Sequence, residues 1–347
     1  MAPDNTHEHA SLSSRTLGEK PISVIIFTQK RSGSSFLGEI FNQNNDFTYF
    51  FEPLTSITQA IMHRKMNGLY FTRYAHEVFD GILHRDFSQM PNGWWSGYVP
   101  RITCSAIALS PYYRLCGAHD NTERPLSLTE KMGQLDVATR KRNGVAIKTI
   151  RVQSLNELKD FVTDPSLNVK VIHLVRDPRG VMNSRKNMKE GNLDLLRRKG
   201  HVADEVLDLC QHMDKTLKVR SVSSWLNGRY KLVRYEDAAE NPLRIAEEIY
   251  KFVGVDLPPS VAVWLNKNTK HDEGDRYSRT RNSKAAASAW RTQLDYRNVL
   301  EIQQKCANSM AKLGYKSLRS YFDLRNVKVN LLGPIGVTYS AVKQGRL

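Results

Sequence analysis

The chain has 347 residues, 40% of them hydrophobic, which is enough to bury the core of one large α/β domain or two ordinary ones, and we favour one. Its 51 Lys and Arg residues against 35 Asp and Glu residues give a formal net charge of +16 and a pI near 9.7. We therefore expect an anionic partner, with nucleic acid, an acidic polysaccharide, an anionic nucleotide and a membrane surface all open.

Features of membrane-spanning, secreted and zinc-binding proteins are missing from the sequence. No segment approaches the ~20 apolar residues that span a bilayer, and the first 20 residues lack the apolar region of a signal peptide, so we expect a soluble chain as written. The cysteines show no C-x-x-C spacing, which argues against structural zinc and leaves buried thiols and disulfides as alternatives. They are Cys104, Cys116, Cys210 and Cys306.

Strand-like and helix-like segments alternate after a polar tail, residues 1–20, that we expect to stay mobile. The predicted strands are residues 22–28, 47–54, 144–151, 169–175 and 229–237. The predicted helices lie near 55–67 and 70–88, after the capping box of Ser154 and Glu157, after Pro178, and from Pro242 to Gly254. This alternation predicts an α/β fold, a mostly parallel sheet flanked by helices.

The segment FTQKRSGSSFLGEIF, residues 27–41, joins the first strand to a helix through a loop with little side-chain bulk. Backbone N–H groups and the positive end of the helix dipole converge in such a loop, which suits a phosphate. Gly33 permits close backbone approach, three serines add hydroxyl donors, and Lys30 and Arg31 add charge. For this loop alone, an ordinary tight turn with surface basic residues is the alternative.

Basic and aromatic side chains recur where the predicted strands end. In parallel sheets ligands bind at the carboxyl ends of the strands. We therefore expect Arg31, Lys148, Arg176 and Tyr235 to lie along one edge, because each ends or follows a predicted strand.

A P-loop nucleotide kinase is a competing hypothesis for this edge. The sequence lacks the G-x-x-x-x-G-K-[ST] pattern that supplies the phosphate-binding lysine of such enzymes. Where a kinase would place an Mg²⁺-binding acid, the chain has Asp177 between Arg176 and Arg179. We expect Asp177 to pair with these arginines, and we expect no metal.

Two separated segments, QKRSGSSFLGEIF and VIHLVRDPRGVMNSR, resemble the cofactor-binding signatures of sulfotransferases that use 3′-phosphoadenosine 5′-phosphosulfate (PAPS). The resemblance implies that Arg176 and Ser184 hold the 3′-phosphate. An arginine at a strand end and a serine two turns into the next helix can converge on one anion. The residues that would hold the 5′-phosphosulfate are Arg31, Ser32, Gly33, Ser34, Ser35 and Phe36.

Further segments resemble, in order, those of carbohydrate sulfotransferases that modify the 6-hydroxyl of Gal, GalNAc or GlcNAc. They are YFFEPL, AIKTIR, VRYEDAAENP, AAASAWRTQL and CANSMAKLGY. The likeness covers residues 21–320 and implies one catalytic domain with the P-loop-like sulfotransferase fold. Residues 90–140 contribute least and are predicted to be an insertion that offers an acceptor-binding region, and residues 321–347 a C-terminal extension.

The resemblance implies sulfuryl transfer to a sugar hydroxyl, where cations near the bridging oxygen of the donor matter most. Arg31 and Lys148 are the candidates for that role. Glu52 is the candidate base, because it follows a strand beside the phosphosulfate loop and because Ile150 stands where cytosolic sulfotransferases have histidine. The alternative is that Glu52 only pairs with Arg31 or Arg151, and Arg151 is also a candidate for orienting the acceptor.

Tyr235 resembles the tyrosine that contacts adenine in this superfamily, with an ordinary core tyrosine as the alternative. The loop GDRYSRTRNSK, which contains Arg281, would close over the 3′-phosphate unless it is simply a solvated basic loop. The family's WR pair implies that Trp290 packs and that Arg291 approaches the nucleotide. Cysteines of related lumenal enzymes imply a disulfide between Cys210 and Cys306.

The leading hypothesis is therefore a PAPS-dependent 6-O-sulfotransferase acting on an anionic glycan or glycosaminoglycan, and not on nucleic acid. The resemblance places it in the Golgi lumen or Golgi membrane, although the family's N-terminal anchor is absent from this sequence. A non-enzymatic protein that binds nucleic acid or heparin is the alternative. The basic residues recur at strand ends instead of forming one stripe, which favours the enzyme.

Overall fold

Five parallel strands form the centre of the protein. A computed structural model describes residues 20–57, 70–98, 106–116, 124–189, 201–268 and 283–336. The strands are β1 (Ile22–Thr28), β2 (Phe47–Phe51), β3 (Gly144–Thr149), β4 (Asn168–Val175) and β5 (Tyr230–Arg234). Their order in the sheet is β2-β3-β1-β4-β5, and every neighbouring pair is parallel. The predicted α/β fold is confirmed and all five predicted strands are present, but the strand predicted over 229–237 ends at Arg234, and residues 235–237 belong to a helix.

Helices cover the sheet and follow the strands in the predicted alternation. In the first half they are α1 (Ser34–Asn42), α2 (Phe71–His84), α3 (Asn92–Gly97), α4 (Leu128–Arg140), α5 (Lys159–Thr163), α6 (Pro178–Lys189) and α7 (His201–Val222). In the second half they are α8 (Tyr235–Glu240), α9 (Pro242–Val253), α10 (Pro259–Asn268), α11 (Ser283–Ser288), α12 (Trp290–Gln293), α13 (Tyr296–Lys305), α14 (Ala307–Lys312) and α15 (Tyr321–Arg325). Short 3₁₀ helices span Ile107–Cys116, Leu155–Leu158 and Ser224–Leu226.

Helix ends follow the local sequence signals. The Ser154–Glu157 capping box is present, although it opens a 3₁₀ turn before α5. Pro242 starts α9 and Gly254, at φ +89°, ends it as predicted. The helix predicted near 70–88 ends earlier, because Arg85 adopts the left-handed conformation at φ +57°. Of the helix predicted near 55–67, only 55–57 lies within the described residues, and they are helical.

Alternate side chains of β1 point to opposite faces of the sheet, and both faces are covered. Ile25 and Phe27 pack in one hydrophobic cluster with residues of α2 and α3, whereas Val24 and Ile26 pack in another with residues of α1 and α9. A strand buried on both faces needs apolar residues at nearly every position. This is why the run ISVIIFT marked β1 so clearly in the sequence.

A third apolar cluster joins α6, α7, α12 and α13 to the segment that follows α14. Cys210 of α7 and Cys306, directly after α13, form a disulfide within this cluster, as the family resemblance implied. Leu324 and Leu331 are buried there, so the segment beyond residue 320 shares the core of the domain. Residues 1–19, Cys104 and Arg281 lie outside the described residues.

Candidate active site at the carboxyl edge of the sheet

The loop between β1 and α1 brings its backbone close to a neighbouring strand end. Gly33 has φ +89°, and a Cβ added there would lie 2.2 Å from Cδ2 of Tyr235, so both conformation and space require glycine. Arg31 also has a positive φ of +74°, a strained conformation for a residue with a side chain. The structure thus places a compact loop directly against the residue that follows β5.

The N-terminus of α1 faces the same region. The helix begins at Ser34 after Gly33, and it has no acidic residue in its first turn. Its first N–H groups have no acceptor within the helix, and the helix dipole makes this end positive. Ser32 and Ser34 are buried beside them, whereas Ser35 is exposed and Phe36 half-buried. The loop and helix therefore bring several hydrogen-bond donors to one place.

Arg176, which follows β4, reaches this loop from the other side. Its Nη1 donates a hydrogen bond to the Arg31 carbonyl at 3.1 Å, and its Nη2 donates to the Ala286 carbonyl at 2.7 Å. The guanidinium lies over the ring of Tyr235, 4.5 Å from the ring centre. The two separated segments that were expected to share one ligand do lie together.

The guanidinium of Arg176 carries a buried positive charge. Its side chain is 8% exposed, and within the described residues no carboxylate lies at ion-pair distance from it. Its Nε is buried without a hydrogen-bond partner in the same part of the chain. A buried charge is costly unless it is paired. Arg176 is therefore suited to hold an anion.

Ser184 connects the two segments that were expected to hold the two ends of the donor. It lies on α6, two turns after Arg176, and its Oγ accepts a hydrogen bond of 2.9 Å from Nε of Arg31. The loop after β1 and the helix after β4 are thus in direct side-chain contact.

Glu52 lies deeper than the loop and pairs with Lys148 of β3. Its Oε1 accepts from the Lys148 ammonium, and its Oε2 lies 3.3 Å from Nε of Arg151. Glu52 and Lys148 are each 3% exposed. The alternative pairing of Glu52 with Arg31 is not what the structure has, whereas the pairing with Arg151 is present. Glu52 also has a positive φ of +53°.

Burial and cationic neighbours shape the protonation of the lysines here. Burial lowers the pKa of Lys148, and the charge of Glu52 opposes that effect. The Lys148 ammonium also lies over the ring of Phe51, 4.3 Å from the ring centre. Burial and the charges of Arg185, Arg31 and Arg151 lower the pKa of Lys30. Cations from the loop after β1, from β3 and from α6 therefore converge at this edge.

Asp177 pairs with only one of its neighbouring arginines, so the predicted pairing with Arg176 was wrong. Its Oδ2 lies 2.6 Å from Nη2 of the fully buried Arg179, whose guanidinium covers the ring of Trp290 at 4.3 Å. Arg176 is turned to the two carbonyls described above. Among the described residues, no group of three His, Cys, Asp or Glu side chains is arranged to hold a metal ion.

Some predicted residues lie away from the site. Trp290 is buried as expected, but the expectation for Arg291 was wrong, because its guanidinium donates to the carbonyls of Leu324, Asp323 and Val329. The Lys284 ammonium lies 2.8 Å from Glu240. His173 is a buried core histidine. Its ring contacts the hydroxyl of Tyr230, and burial lowers its pKa to about 3.

Sequence reasoning missed Glu236 and Tyr315. Glu236 directly follows Tyr235, and its carboxylate accepts hydrogen bonds from the Asp177 amide and the Tyr315 hydroxyl. Its position at a strand end was the available signal for Glu236. The role of Tyr315 had no such signal, because it depends on where the distant C-terminal segment packs.

Among the described residues, no helix is both long and apolar enough to cross a bilayer.

The sulfotransferase domain family matches residues 21–314. Carbohydrate sulfotransferase 1 of Rattus norvegicus is 35% identical over 342 residues, covering 89% of this chain and 83% of that protein. Carbohydrate sulfotransferase 6 of Homo sapiens is 30% identical over 354 residues, covering 94% and 88%. A solved sulfotransferase domain from the curacin biosynthetic pathway aligns over 83% of this chain and 97% of its own, with 18% identity and a TM-score of 0.46.

Proposed function

The chain belongs to the carbohydrate sulfotransferases, and from this premise we propose that it transfers a sulfuryl group from PAPS to the 6-hydroxyl of a GlcNAc, GalNAc or Gal residue in a glycan or glycosaminoglycan. The observation that carries the proposal is Arg176, a buried cation that lacks a carboxylate partner in the described part of the chain and faces a glycine loop. A nucleotide with phosphates at both ends supplies the missing negative charge.

Each end of the donor has its own residues in this proposal. The N–H groups and hydroxyls of residues 31–36 hold the 5′-phosphosulfate, and Arg176 and Ser184 hold the 3′-phosphate. Tyr235 packs against Gly33 and Arg176, which suits a ring that contacts adenine. Arg281, outside the described residues, is a further candidate for the 3′-phosphate in the same proposal.

The reaction follows from the positions of the charged groups. The acceptor oxygen attacks sulfur, the bond from sulfur to the bridging phosphate oxygen breaks, and that oxygen leaves with the electron pair. Arg31 and Lys148 stabilise the negative charge that develops on the leaving oxygen. Glu52 takes the proton of the acceptor hydroxyl, and Arg151 orients the acceptor beside it. The pairing of Glu52 with Lys148 and Arg151 supports these roles, because it brings acid and cations together.

The disulfide between Cys210 and Cys306 supports a location in an oxidising compartment. On the basis of the disulfide and the family assignment, we propose that the protein is located in the Golgi lumen or Golgi membrane. We also propose an anionic glycan as the acceptor for this basic protein. The net charge of +16 favours binding of such a chain by long-range attraction.

Sulfuryl transfer can be tested with purified protein, labelled PAPS and a panel of chondroitin, keratan and GlcNAc-terminated acceptors. We expect label on the 6-hydroxyl of at least one acceptor, located by fragmentation of the product. Arg176→Ala should weaken donor binding, whereas Arg244→Ala, at an exposed arginine paired with Glu248, is the matched control. Label on another hydroxyl would contradict the 6-position and leave the donor assignment intact.

The competing hypotheses predict different results in the same preparation. A protein that only binds nucleic acid or heparin would bind DNA in a salt-dependent way, and 3′-phosphoadenosine 5′-phosphate (PAP) would not raise its melting temperature. A kinase would transfer phosphate from ATP in the presence of Mg²⁺. Thermal stabilisation by PAP, with no phosphate transfer, is the result that the present proposal requires.

A further inference from the structure

Glu236 holds the turn that carries Arg176. It is the second residue of α8, and its Oε1 accepts a hydrogen bond of 3.0 Å from the backbone N–H of Asp177. Asp177 directly follows Arg176, so this bond fixes the peptide next to the arginine. The other oxygen, Oε2, accepts a 2.8 Å hydrogen bond from the Tyr315 hydroxyl. One carboxylate thus ties β4, α8 and the C-terminal segment together beneath the donor site.

The charged groups around Glu236 are mostly engaged with one another. Asp177 is paired with Arg179, and Arg234, directly before α8, is paired with Asp237 at 2.8 Å. Within the described residues no cation lies at ion-pair distance from Glu236 itself. Asp177 accepts several hydrogen bonds from Arg179, whereas Glu236 accepts only from an amide and a hydroxyl among the described residues.

The surroundings of Glu236 put its titration near neutrality. Burial and the charge of Asp177 raise the pKa of Glu236 to about 7, and the positive charge of Arg176 opposes this rise. Burial and the charge of Glu236 raise the pKa of Tyr315 well above its usual range, so Tyr315 stays a neutral hydroxyl. In the ligand-free protein near pH 7, Glu236 is therefore present in both charge states.

We propose that Glu236 is a positioning residue for the nucleotide, and that it takes up a proton when a phosphate binds at Arg176. This inference rests on the proposed donor site. A bound phosphate neutralises the charge of Arg176 that favours the Glu236 carboxylate, and it also adds repulsion. Both effects favour the protonated acid.

The proton comes from solvent, and the hydrogen bonds can accommodate it without moving the backbone. Oε1 must continue to accept from the Asp177 amide, so the proton resides on Oε2. The Tyr315 hydroxyl then rotates and accepts from Oε2 instead of donating to it, since a tyrosine hydroxyl can do either. The hydrogen bond from the Asp177 amide to Glu236 Oε1, which holds the Arg176 turn, persists in both states. Only the charge of Glu236 changes.

Calorimetric titration with PAP, in two buffers of different ionisation enthalpy near pH 7, counts the protons taken up on binding. PAP and other groups contribute to this number, so the informative quantity is the difference between wild type and Glu236→Gln. The amide side chain of this variant keeps an acceptor for the Asp177 N–H but cannot ionise. We expect a smaller proton uptake for Glu236→Gln, whereas Glu240→Gln, on the exposed part of the same helix, should match wild type.

The affinity for PAP should also depend on pH through Glu236. Above pH 7, binding to wild type should weaken relative to Glu236→Gln, by up to about tenfold per pH unit for one linked proton. Below the pKa both proteins carry a neutral residue, and their affinities should converge. Glu236→Ala, which loses the hydrogen bond from the Asp177 amide, should bind PAP weakly at every pH. Glu236→Gln keeps an acceptor for that amide and should bind PAP as tightly as wild type does below pH 7.

Equal proton uptake and parallel pH profiles for wild type and Glu236→Gln would overturn this inference and leave the proposed function standing. Failure of wild type to bind PAP at any pH would overturn the proposed function, and this inference with it. If Glu236→Ala does not fold, the comparison between wild type, Glu236→Gln and Glu240→Gln still decides the question.

Discussion

Two halves of the carboxyl edge differ in how their charges are balanced. The donor half comprises Arg176, Ser184 and Tyr235, and its buried arginine donates only to backbone carbonyls among the described residues. The acceptor half comprises Glu52, Lys148 and Arg151, and its cations share one carboxylate. The difference suits two tasks. A site that binds a ready-made anion keeps a positive charge uncompensated, whereas a site where charge moves during reaction begins nearly balanced.

The same difference sets how each half responds to substitution. Removing one member of a buried ion pair leaves an uncompensated charge, which typically costs about 3–5 kcal/mol of stability. Arg176 has no acid partner in the described part of the chain, so its loss leaves no carboxylate unpaired. We therefore expect substitutions in the acceptor half to affect both turnover and stability, and those in the donor half to affect mainly binding.

Glu52→Gln should give the largest effect on turnover. It removes the proposed base while keeping the shape of the side chain, and general base catalysis typically contributes about 10²–10⁴-fold. Steady-state assays should show a loss of kcat of that size, and calorimetry should show PAP affinity close to that of wild type. Normal turnover by this variant would place the base elsewhere.

Lys148→Met should reduce kcat by about 10²–10³-fold, the usual cost of losing one group that stabilises a developing oxyanion. The double variant Glu52→Gln, Lys148→Met separates two explanations. If Lys148 acts on the leaving oxygen, the double variant should be slower than Glu52→Gln alone. If Lys148 serves only to hold Glu52, the two should be equally slow. Melting temperatures should be measured alongside, because the double variant removes both buried charges.

Arg176→Ala should weaken PAP binding by about 10- to 100-fold, from the ~1.5–3 kcal/mol expected for hydrogen bonds to a charged group. At saturating donor its kcat should be much closer to wild type than that of either acceptor-half variant. Arg244→Ala controls for the loss of one positive charge. A large fall in kcat with unchanged PAP affinity would show that Arg176 acts on the reaction and not mainly on donor binding.

The strands and the edge could be predicted because they depend on local composition and on one topological rule. A parallel strand covered on both faces must be apolar almost throughout, so β1 and β4 stood out in the sequence. Parallel strands also end at one edge, which brought residues 31, 148, 176 and 235 together without knowledge of the strand order.

The contacts between these residues could not be predicted, because they depend on that order. Glu52 was placed beside the phosphosulfate loop, yet β3 lies between β2 and β1, so the first cation that Glu52 meets is Lys148. Arg291 illustrates the same difficulty over a longer distance. Its carbonyl partners lie more than thirty residues further along the chain. No local sequence pattern predicts that this segment packs back against Arg291.

Ser184→Ala should have the smallest effect, because it removes one neutral hydroxyl from a site with many donors. A single hydrogen bond contributes about 0.5–1.5 kcal/mol, so PAP binding should weaken about two- to tenfold. The contact of Ser184 Oγ with Nε of Arg31 makes this variant a test of whether Ser184 acts only in the donor half or also on Arg31, which is proposed to stabilise the leaving oxygen. If Ser184 serves only the 3′-phosphate, kcat at saturating donor stays at the wild-type level. If it also positions Arg31 for the leaving oxygen, kcat falls as well, and Ser221→Ala, an exposed serine on α7, should change neither quantity.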